Sequence, residues 1–468
     1  MKTSFTLRQL DDPRIAEADR ILQDCVHYGF CVSVCPTYVL TRDEDESPRG
    51  RIDLIKEMLE SGTAPKAETV RHVDQCLSCL SCMSTCAASV DYAHLVDTAR
   101  AHIEHHYQRP LGDRLMRWLV ASTIPHPKRM RLALHAARVA RPLSAWLPHR
   151  LRNMVAMGAD GSGGGSKSES AQRPPGDAGL EFDRALPAKG QRLLRVALIP
   201  GCAQQVLAPQ INEATIRILR RHGCEVVVAG TRCCGALELH MGREASARRA
   251  AGETLDKLQS IDRERPLDAI VVNASGCGTT MKDYGHMMAG VPGTATAAAA
   301  IGARVKDISE VLAELGLRPP VRRTGLRVAY HDACSLQHGQ KVSRQPRQLL
   351  ASAGFEVLDV PERHFCCGSA GTYNLLQPQT AAVLGDRKAR HIASTGAHLA
   401  CAGNLGCLEQ LSRYAPIPLV HTVELLDWAT GGPLPAALSG IDIPEPAAPA
   451  PLGEQPAAVA ADDEDSLW

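Results

Sequence analysis

The sequence predicts an α+β protein of several domains, in which a helical N-terminal domain precedes two tandem α/β domains. Two cysteine runs near the N-terminus enclose a segment whose apolar residues recur at helical spacing. Farther along, one cysteine pattern occurs twice, at an offset of about 130 residues, which indicates duplicated domains. In each copy short apolar runs alternate with longer helical segments, as in mainly parallel sheets.

The first domain, residues 1–108, is marked by a run with the spacing C-x2-C-x2-C-x3-C. The run comprises Cys76, Cys79, Cys82 and Cys86. This is the spacing of thiolates that surround a cubane iron–sulfur cluster. A second run lies upstream and comprises Cys25, Cys31 and Cys35 before Pro36. Ile52, Ile55, Met58 and Leu59 recur at helical spacing between the runs, so we expect clusters embedded among helices.

The two runs assign ligands to two clusters. In two-cluster ferredoxins the fourth cysteine of a run ligates the other cluster. On that pattern, one complete [4Fe–4S] cluster is bound by Cys35, Cys76, Cys79 and Cys82. The second cluster has Cys25, Cys31 and Cys86, with Tyr28 where a fourth cysteine is expected.

Three interpretations of Tyr28 stay open. The second cluster is either a four-iron cluster ligated by the phenolate, a [3Fe–4S] cluster without the corner iron, or a labile cluster. We favour a three-iron or labile cluster. Zinc also binds cysteine pairs, but its sites use two separated pairs, so the runs favour iron and sulfide. A disulfide framework is disfavoured in a chain of this length without a secretory signal.

Composition excludes several classes of function. The 468 residues suffice for about three domains, and a net charge of +1 argues against nucleic acid or an anionic membrane as the main partner. No run of eighteen apolar residues occurs, so no transmembrane segment is expected. The N-terminus lacks an apolar signal core, and seventeen cysteines then indicate the cytoplasm. We expect any membrane association to be peripheral, through partners.

The remaining chain divides into five parts. Residues 109–157 read as a helical extension broken at Pro125 and Pro127. Residues 158–192 contain a Gly/Ser-rich stretch and predict a flexible linker. The two α/β domains are predicted at 193–320 and 321–432. Residues 433–468 are rich in Pro and Ala and predict a disordered tail.

Each α/β domain carries four repeated cysteines. The first quartet is Cys202, Cys233, Cys234 and Cys277, and the second is Cys334, Cys366, Cys367 and Cys407. Apolar runs lead into several of these cysteines, which places them at the carboxyl ends of parallel strands, where open α/β sheets have their sites. Metal or cluster binding is favoured over thiol redox chemistry and over simple core packing. Among nearby histidines, His331 is the best candidate for a ligand or proton relay, whereas Cys224 and Cys401 read as core residues.

With these motifs, the chain resembles the iron–sulfur subunits of glycolate oxidase from about residue 20 to 430, outside the linker. The residues that carry the resemblance are Cys31–Pro36, Pro48–Arg51, Cys76–Cys86, Cys233–Leu237, Asn273–Cys277, His331–Cys334, Cys366–Gly371 and Ala402–Cys407. The resemblance implies a non-catalytic electron-transfer subunit. Flavin-containing partner subunits would oxidise glycolate to glyoxylate, and the electrons would continue to a membrane acceptor of the quinone type.

The paired-cysteine domains also resemble heterodisulfide reductase and subunits of lactate- or glycerol-3-phosphate-oxidising complexes. In that wider family the motif ends C-x2-C, but here Ala274 and Asn404 occupy the first position of the pair. With four cysteines in each repeat, both an extra cluster and a zinc ion stay possible ligands of these domains. A thiol-reducing protein and a zinc-stabilised interaction module remain the alternatives from other functional classes.

Overall fold

The computed structural model describes residues 1–140, 180–322 and 324–444. It confirms the predicted fold class, because a helical N-terminal domain precedes two α/β domains. The helices of the N-terminal part are α1 (Leu7–Leu10), α2 (Pro13–Asp24), α3 (Phe30–Ser33), α4 (Pro36–Thr41), α5 (Pro48–Ser61), α6 (Ala67–Asp74), α7 (Ser81–Thr85), α8 (Tyr92–His106), α9 (Leu111–Thr123) and α10 (Pro127–Ala140).

Helix α5 shows why the segment between the cysteine runs is helical. The Ser47 side chain caps the helix by accepting from the Gly50 N–H, and Pro48 occupies the first turn, where its missing N–H costs nothing. The helix ends at Gly62, which has a left-handed φ of 60°. Its predicted apolar face is buried in the domain core and comprises Ile52, Ile55, Met58 and Leu59.

The two α/β domains contain sheets of matching topology. The first sheet has the order β1-β3-β2-β4-β5, and the second has the order β7-β6-β8-β9. All neighbours are parallel except β1, which pairs antiparallel with β3. The strands are β1 (Ala185–Leu186), β2 (Leu194–Ile199), β3 (Cys224–Val228), β4 (Ala269–Val272), β5 (Val305–Asp307), β6 (Arg327–Tyr330), β7 (Glu356–Asp359), β8 (Leu399–Ala402) and β9 (Leu419–His421).

Helices connect these strands and cover the sheets. In the first domain they are α11 (Gln204–Leu207), α12 (Pro209–Arg221), α13 (Ala236–His240), α14 (Glu244–Glu264), α15 (Ser275–Lys282), α16 (Tyr284–Met287), α17 (Ala295–Ala303) and α18 (Ile308–Leu315). In the second they are α19 (Arg344–Ser352), α20 (Tyr373–Leu376), α21 (Pro378–Ser394), α22 (Leu405–Leu411) and α23 (Thr422–Ala429).

The two α/β domains share one hydrophobic core. Side chains of both sheets and of α12 and α23 belong to a single buried cluster. Asp427 is 1% exposed and forms ion pairs across this interface with Arg217 and Arg221. His421 Nε2 lies 3.0 Å from the carbonyl oxygen of Asn273. This shared core places the carboxyl ends of the two sheets close together.

The helical extension joins the N-terminal domain to both α/β domains. Met116 and Val120 of α9 pack against Met241 of the first domain and against Leu375 of the second. Arg117 of α9 also pairs with Asp74 of the N-terminal domain at 2.9 Å. Residues 141–157 of the predicted extension lie outside the described residues. No described helix is both long and apolar enough to cross a membrane.

Two predicted boundaries need correction. Strand β1 falls within 158–192, the range predicted as a linker, because Ala185 and Leu186 add an edge strand to the first sheet. The predicted tail is also ordered at its start, where Leu438 is 1% exposed and belongs to the shared core. Gly325 N–H then donates to the carbonyl of Pro444 at 2.9 Å. The Gly/Ser-rich stretch of the linker and residues 445–468 lie outside the described residues.

A histidine pair joins the N-terminal domain to the first α/β domain. His94 of α8 lies 2.7 Å from Asp91 and 2.9 Å from Asp283. Its ring stacks on that of His286 at 3.5 Å between centroids, and His286 lies 2.9 Å from Glu17. Burial alone would lower the pKa of His94, but the two carboxylates raise it to about 10. The imidazolium is therefore the folded-state form at neutral pH.

Replacing His94 with Gln is expected to lower the melting temperature at pH 6–7 by roughly 2–6 °C. Because the pKa of His94 is raised on folding, its contribution is complete below about pH 6.5 and disappears as the pH approaches 10. The difference between wild type and variant should therefore shrink with rising pH in calorimetry under anaerobic conditions. His105, exposed on the same helix, provides the control H105Q. A difference that does not change with pH would contradict this electrostatic role.

Candidate iron–sulfur centres

The four cysteines predicted for the complete cluster line one small cavity in the N-terminal domain. They come from two separate segments and comprise Cys35, Cys76, Cys79 and Cys82. Cys35 directly precedes α4, and Pro36 occupies the first turn of that helix. Cys76 and Cys79 lie in the loop between α6 and α7, and Cys82 lies in the first turn of α7. All four are less than 10% exposed, so their thiols face the interior.

The loop around these thiols has an unusual backbone. Ser78 and Leu80 have positive φ angles of 48° and 61°, a conformation that costs a residue with a Cβ about 1–2 kcal/mol. The Ser78 N–H points at Cys76 Sγ, 3.5 Å away. Arg100 supports the loop from outside by donating to Ser78 Oγ and to the Cys76 carbonyl, both at 2.6 Å. The loop therefore curves around the thiols and directs an amide N–H at one sulfur.

A buried polar network supports the same cavity. Arg51 is 1% exposed and donates to Glu46 at 2.5 Å and to the His72 carbonyl at 2.7 Å. Its Nη1 also lies 3.8 Å from Cys35 Sγ. Burial alone would lower the pKa of Arg51, but the surrounding phenol, thiols and carboxylate raise it. The sequence did not reveal Glu46 and His72 as partners of this site, because no local spacing marks them.

Tyr92 contacts the thiols from the other side. It is 4% exposed, and its hydroxyl donates to Cys76 Sγ at 3.7 Å. Burial raises the pKa of Tyr92 well above its ordinary value, with Cys76 adding to the shift, so the hydroxyl keeps its proton. A hydrogen bond to a ligating sulfur stabilises the reduced, more negative form of a cluster. Tyr92 is a positioning residue that the sequence pattern did not reveal.

Replacing Tyr92 with Phe is expected to lower the reduction potential of the adjacent cluster by about 40 mV. One hydrogen bond contributes about 1 kcal/mol, which converts to this shift on the scale of 59 mV per tenfold change for one electron. Redox titration followed by EPR measures it. The control is Y107F, since Tyr107 packs against the same core. Equal shifts in both variants would argue for a general packing effect instead.

The cysteines predicted for the second cluster also lie together in this domain. Cys25 belongs to the domain core, Cys31 and Cys86 pack against it, and Cys31 interacts electrostatically with both other cysteines. Burial, with Cys25 next in effect, raises the pKa of Cys31 to about 11. Tyr28 is 66% exposed, and its ring has a tilted contact with Phe30. This exposure contrasts with the buried or half-buried cysteines around it.

The first α/β domain brings its quartet together at the carboxyl edge of its sheet. Cys202 follows β2, the adjacent pair Cys233 and Cys234 follows β3, and Cys277 lies in the first turn of α15. The sulfurs of Cys202 and Cys233 are 3.8 Å apart. A hydrogen bond with Cys202 lowers the pKa of Cys233 well below its ordinary value, while hydrogen bonding to Cys233 and Cys277 raises that of Cys234.

The glycine after each cysteine pair has a geometric reason. Gly235 and Gly368 have φ angles of +91° and +86°, which residues with a Cβ rarely adopt. A Cβ at Gly235 would lie 2.8 Å from the carbonyl oxygen of Ala247, and one at Gly368 would lie 2.7 Å from that of Ala381. The Gly235 N–H also donates to Cys233 Sγ at 3.4 Å. Both domains therefore use glycine to turn the chain tightly beneath the thiols.

The second α/β domain repeats this arrangement and adds a histidine. The sulfurs of Cys334 and Cys366 are 3.8 Å apart. His331 offers a ring nitrogen that lies within 4.8 Å of the sulfurs of Cys367 and Cys407. Burial lowers the pKa of His331 to about 3, so its imidazole is neutral. The histidine that the sequence analysis singled out therefore lies beside the second quartet.

The second quartet lies next to the complete N-terminal site. Cys79 and Leu77 of the N-terminal loop pack in one buried cluster with Cys366, and Cys334 packs against the same cluster. Ser84 Oγ lies 2.8 Å from the ring of His338, and Gln75 accepts from the Tyr373 hydroxyl at 2.9 Å. The two cysteine sites therefore adjoin, and Cys366 interacts electrostatically with Cys79.

One cavity of about 570 Å³ connects the two quartets. All eight repeated cysteines line it, and Leu77 of the N-terminal loop does so as well. Apolar side chains of the helical extension cover another part of the wall and include Leu119, Ile124, Met130 and Leu134. The position of each quartet at the strand ends was predicted from the sequence, but the cavity that the two quartets share was not.

The donor sets fit iron–sulfur centres. Burial is the largest cause that raises the pKa values of Cys79 and Cys82 well above the ordinary thiol value, and neighbouring thiols raise them further. Several thiolates in one buried site require a compensating positive charge, which the iron of a cluster supplies when it is bound. Clustered soft sulfur ligands are also the donors that iron–sulfur clusters use.

Comparisons with known proteins agree with this arrangement. The 4Fe-4S dicluster domain matches residues 24–90, and the Cysteine-rich domain matches residues 196–282 and 328–412. The chain is 34% identical to the glycolate oxidase iron-sulfur subunit of Escherichia coli, over 92% of this chain and 99% of that protein. It is 32% identical to the probable glycolate oxidase iron-sulfur subunit of Bacillus subtilis, over the same shares.

The chain belongs to the family of glycolate oxidase iron–sulfur subunits. The resemblance predicted from the motifs is thereby confirmed, and so is the duplicated Cysteine-rich domain. Part of the chain is also similar to proteins that are not named for glycolate oxidase. Lactate utilization protein A of Oceanobacillus iheyensis is 26% identical over 50% of this chain and 97% of its own length. The similarity of this part of the chain therefore extends beyond proteins named for glycolate oxidase.

Proposed function

We propose that this chain is the non-catalytic electron-transfer subunit of a glycolate-oxidising complex. It accepts electrons from flavin-containing partner subunits that oxidise glycolate to glyoxylate, and passes them toward a membrane acceptor of the quinone type. The observation that carries the proposal is the shared buried cluster of Cys79 and Cys366, which joins the N-terminal site to the cavity of the α/β domains. The proposed location is the cytoplasm, with peripheral attachment to the membrane through partners.

The residues around the two N-terminal sites have separate roles in the proposed electron transfer. Cys35, Cys76, Cys79 and Cys82 ligate one [4Fe–4S] cluster, and Cys25, Cys31 and Cys86 ligate the second. Reversible one-electron storage is the chemistry that such clusters supply when bound. Arg51 and Tyr92 compensate charge and donate hydrogen bonds at the first of these sites. The protein thereby sets the reduction potential of each cluster and keeps water away from it. The chemistry on the substrate takes place in a partner subunit.

The second N-terminal cluster is proposed to be a three-iron or labile cluster. Three thiols lie together there, but the Tyr28 side chain is 66% exposed, which disfavours a phenolate ligand held in a dry site. The variant Y28F should then leave the EPR spectrum unchanged. A Y28C variant provides the fourth thiolate and should convert the signal of a [3Fe–4S] cluster into that of a [4Fe–4S] cluster.

The test uses anaerobically purified chain, alone and co-expressed with its flavoprotein partners. Iron, acid-labile sulfide and zinc are measured per chain, and cluster reduction after mixing with glycolate is followed by rapid-freeze EPR. Reduction by glycolate only in the complex supports the proposal. Zinc without sulfide would indicate an interaction module, and reduction of disulfides by the chain alone would indicate a thiol redox protein.

The alternative substrate is lactate, which the similarity to lactate utilization protein A favours. D-lactate, L-lactate and glycerol 3-phosphate are therefore added to the complex in parallel with glycolate. Since substrate selection belongs to the partner, faster reduction with one of these substrates would reassign the complex while keeping the electron-transfer role of the chain.

A further inference from the structure

His331 is a buried imidazole with no polar partner among the described residues. The side chain is 1% exposed, and neither Nδ1 nor Nε2 has a hydrogen-bond partner there. Its backbone is firmly placed, since the His331 N–H donates to the carbonyl of Cys401 at 2.8 Å. Buried polar groups are nearly always satisfied by protein, water or a ligand. An unsatisfied imidazole at this depth points to a ligand.

The position of the ring identifies the class of ligand. A ring nitrogen of His331 and the sulfurs of Cys367 and Cys407 all lie within 4.8 Å of one another. This is a separation that one metal centre can span, because metal–nitrogen and metal–sulfur bonds are about 2.0–2.3 Å long. Imidazole and thiolate are both ligands of transition metals.

The two α/β domains differ at this position. The repeat offset (334−202 = 132) maps His331 onto Ile199, which is 3% exposed and packs in an apolar cluster of the first domain. At the equivalent place, the first domain therefore has an apolar side chain and not an imidazole. An imidazole beside the second quartet is a distinct feature of that domain.

We propose that the second α/β domain binds an iron–sulfur centre in which His331 is the non-thiolate ligand. The thiolate ligands are Cys334, Cys366, Cys367 and Cys407. Five donors exceed the four of a tetrahedral zinc site, which favours a centre with several metal ions. Cys366 shares a buried cluster with Cys79, which places this centre beside the proposed N-terminal cluster. The proposal adds a site to the proposed function and does not depend on the substrate of the complex.

A buried cation supports a negatively charged centre at this place. Lys388 is 2% exposed, and its Nζ donates to the Glu362 carbonyl at 2.6 Å. Cys366 and Cys367 interact electrostatically with this ammonium group. A lysine beside buried thiolates offsets part of their charge. A neutral imidazole in place of one thiolate ligand reduces the negative charge of the proposed centre further, and it raises the reduction potential of that centre.

The experiment is pulsed EPR on the anaerobically purified full chain, in oxidised and reduced states. In wild type we expect ¹⁴N couplings of a directly bound imidazole, and growth with ¹⁵N-histidine should replace them by ¹⁵N couplings. The variant H331L should lose the couplings. The variant H331C should keep the iron but lose the couplings and have a lower potential. The control H364Q replaces a nearby histidine whose ring has no predicted ligand role.

Iron analysis complements the spectra. Wild type is expected to hold more than about eight irons per chain, the maximum for two four-iron clusters at the N-terminal sites. Unchanged nitrogen couplings in H331L, no response to ¹⁵N-histidine, or zinc in place of the additional iron would each overturn the proposal. Because the isotope exchange needs no substitution, the inference can be tested even if H331L does not fold. The signals of the N-terminal clusters report separately on the proposed function.

Discussion

Replacing Cys79 with Ser is expected to stop electron transfer through the chain. Cys79 is 9% exposed, lines the cavity of the complete N-terminal site and belongs to the same buried cluster as Cys366. Changes to groups that only support a metal ligand cost about 10–100-fold, so loss of a ligand should lower glycolate-dependent quinone reduction by at least about 100-fold. Reduction of the partner flavin by glycolate should persist, because the proposed function assigns that chemistry to another chain.

Stopped-flow absorbance separates these two steps. Flavin bleaching is followed after mixing the complex with glycolate, and reduction of a soluble quinone is followed in steady state. The control is C224A, since Cys224 is fully buried in β3 and lies outside both quartets. A C79S complex that reduces quinone at the wild-type rate would exclude the N-terminal site from the electron path.

Replacing Arg51 with Met should destabilise the N-terminal domain by about 3–5 kcal/mol, the usual effect of removing one partner from a buried ion pair. The substitution keeps a long side chain but removes the closest guanidinium from the buried Glu46 carboxylate, which retains only His72 at 2.8 Å and the more exposed Arg71 at 3.9 Å. It also removes positive charge 3.8 Å from Cys35 Sγ. We therefore expect both a lower free energy of unfolding and faster loss of the cluster in air.

The free energy of unfolding is measured by denaturant titration under anaerobic conditions, and cluster loss by the decay of visible absorbance. The matched control is R49M, two residues earlier on the same helix. Arg49 is more exposed and pairs with Glu44 at 2.8 Å, and a surface pair of this kind contributes about 0–1 kcal/mol. Similar losses of stability in the two variants would argue against a specific role for the buried guanidinium.

The fold class could be predicted because its signals are local. The face of α5 repeats at helical spacing, and Ser47, Pro48 and Gly62 mark its ends. The apolar runs of the repeats became β2, β3, β4 and β6, and these strands pair in parallel with their neighbours, apart from the antiparallel pairing of β3 with β1. Since a parallel strand ends at one edge of its sheet, the cysteines after these strands had to converge there.

The domain boundaries were less predictable because they depend on remote contacts. Ala185 and Leu186 form a strand only because β3 offers an unpaired edge. Leu438 lies in a segment rich in Pro and Ala but is buried against the shared core. Composition describes how a segment behaves alone, and it does not reveal a partner surface formed by residues far away in the chain.

The sequence by itself determined the chemistry of the ligands: cysteine spacing, the missing thiolate at Tyr28, the two quartets and the family. The spacing of the cysteines along the chain limits which sulfurs can surround one centre, so these features can be predicted without a three-dimensional structure. Only the tertiary structure decided which sites adjoin. The decisive features join segments distant in the chain: the buried cluster of Cys79 and Cys366, the Arg51 network, the shared cavity, and the His331 ring, which has no hydrogen-bond partner among the described residues. Such contacts arise from the packing of whole domains, and no local spacing encodes them.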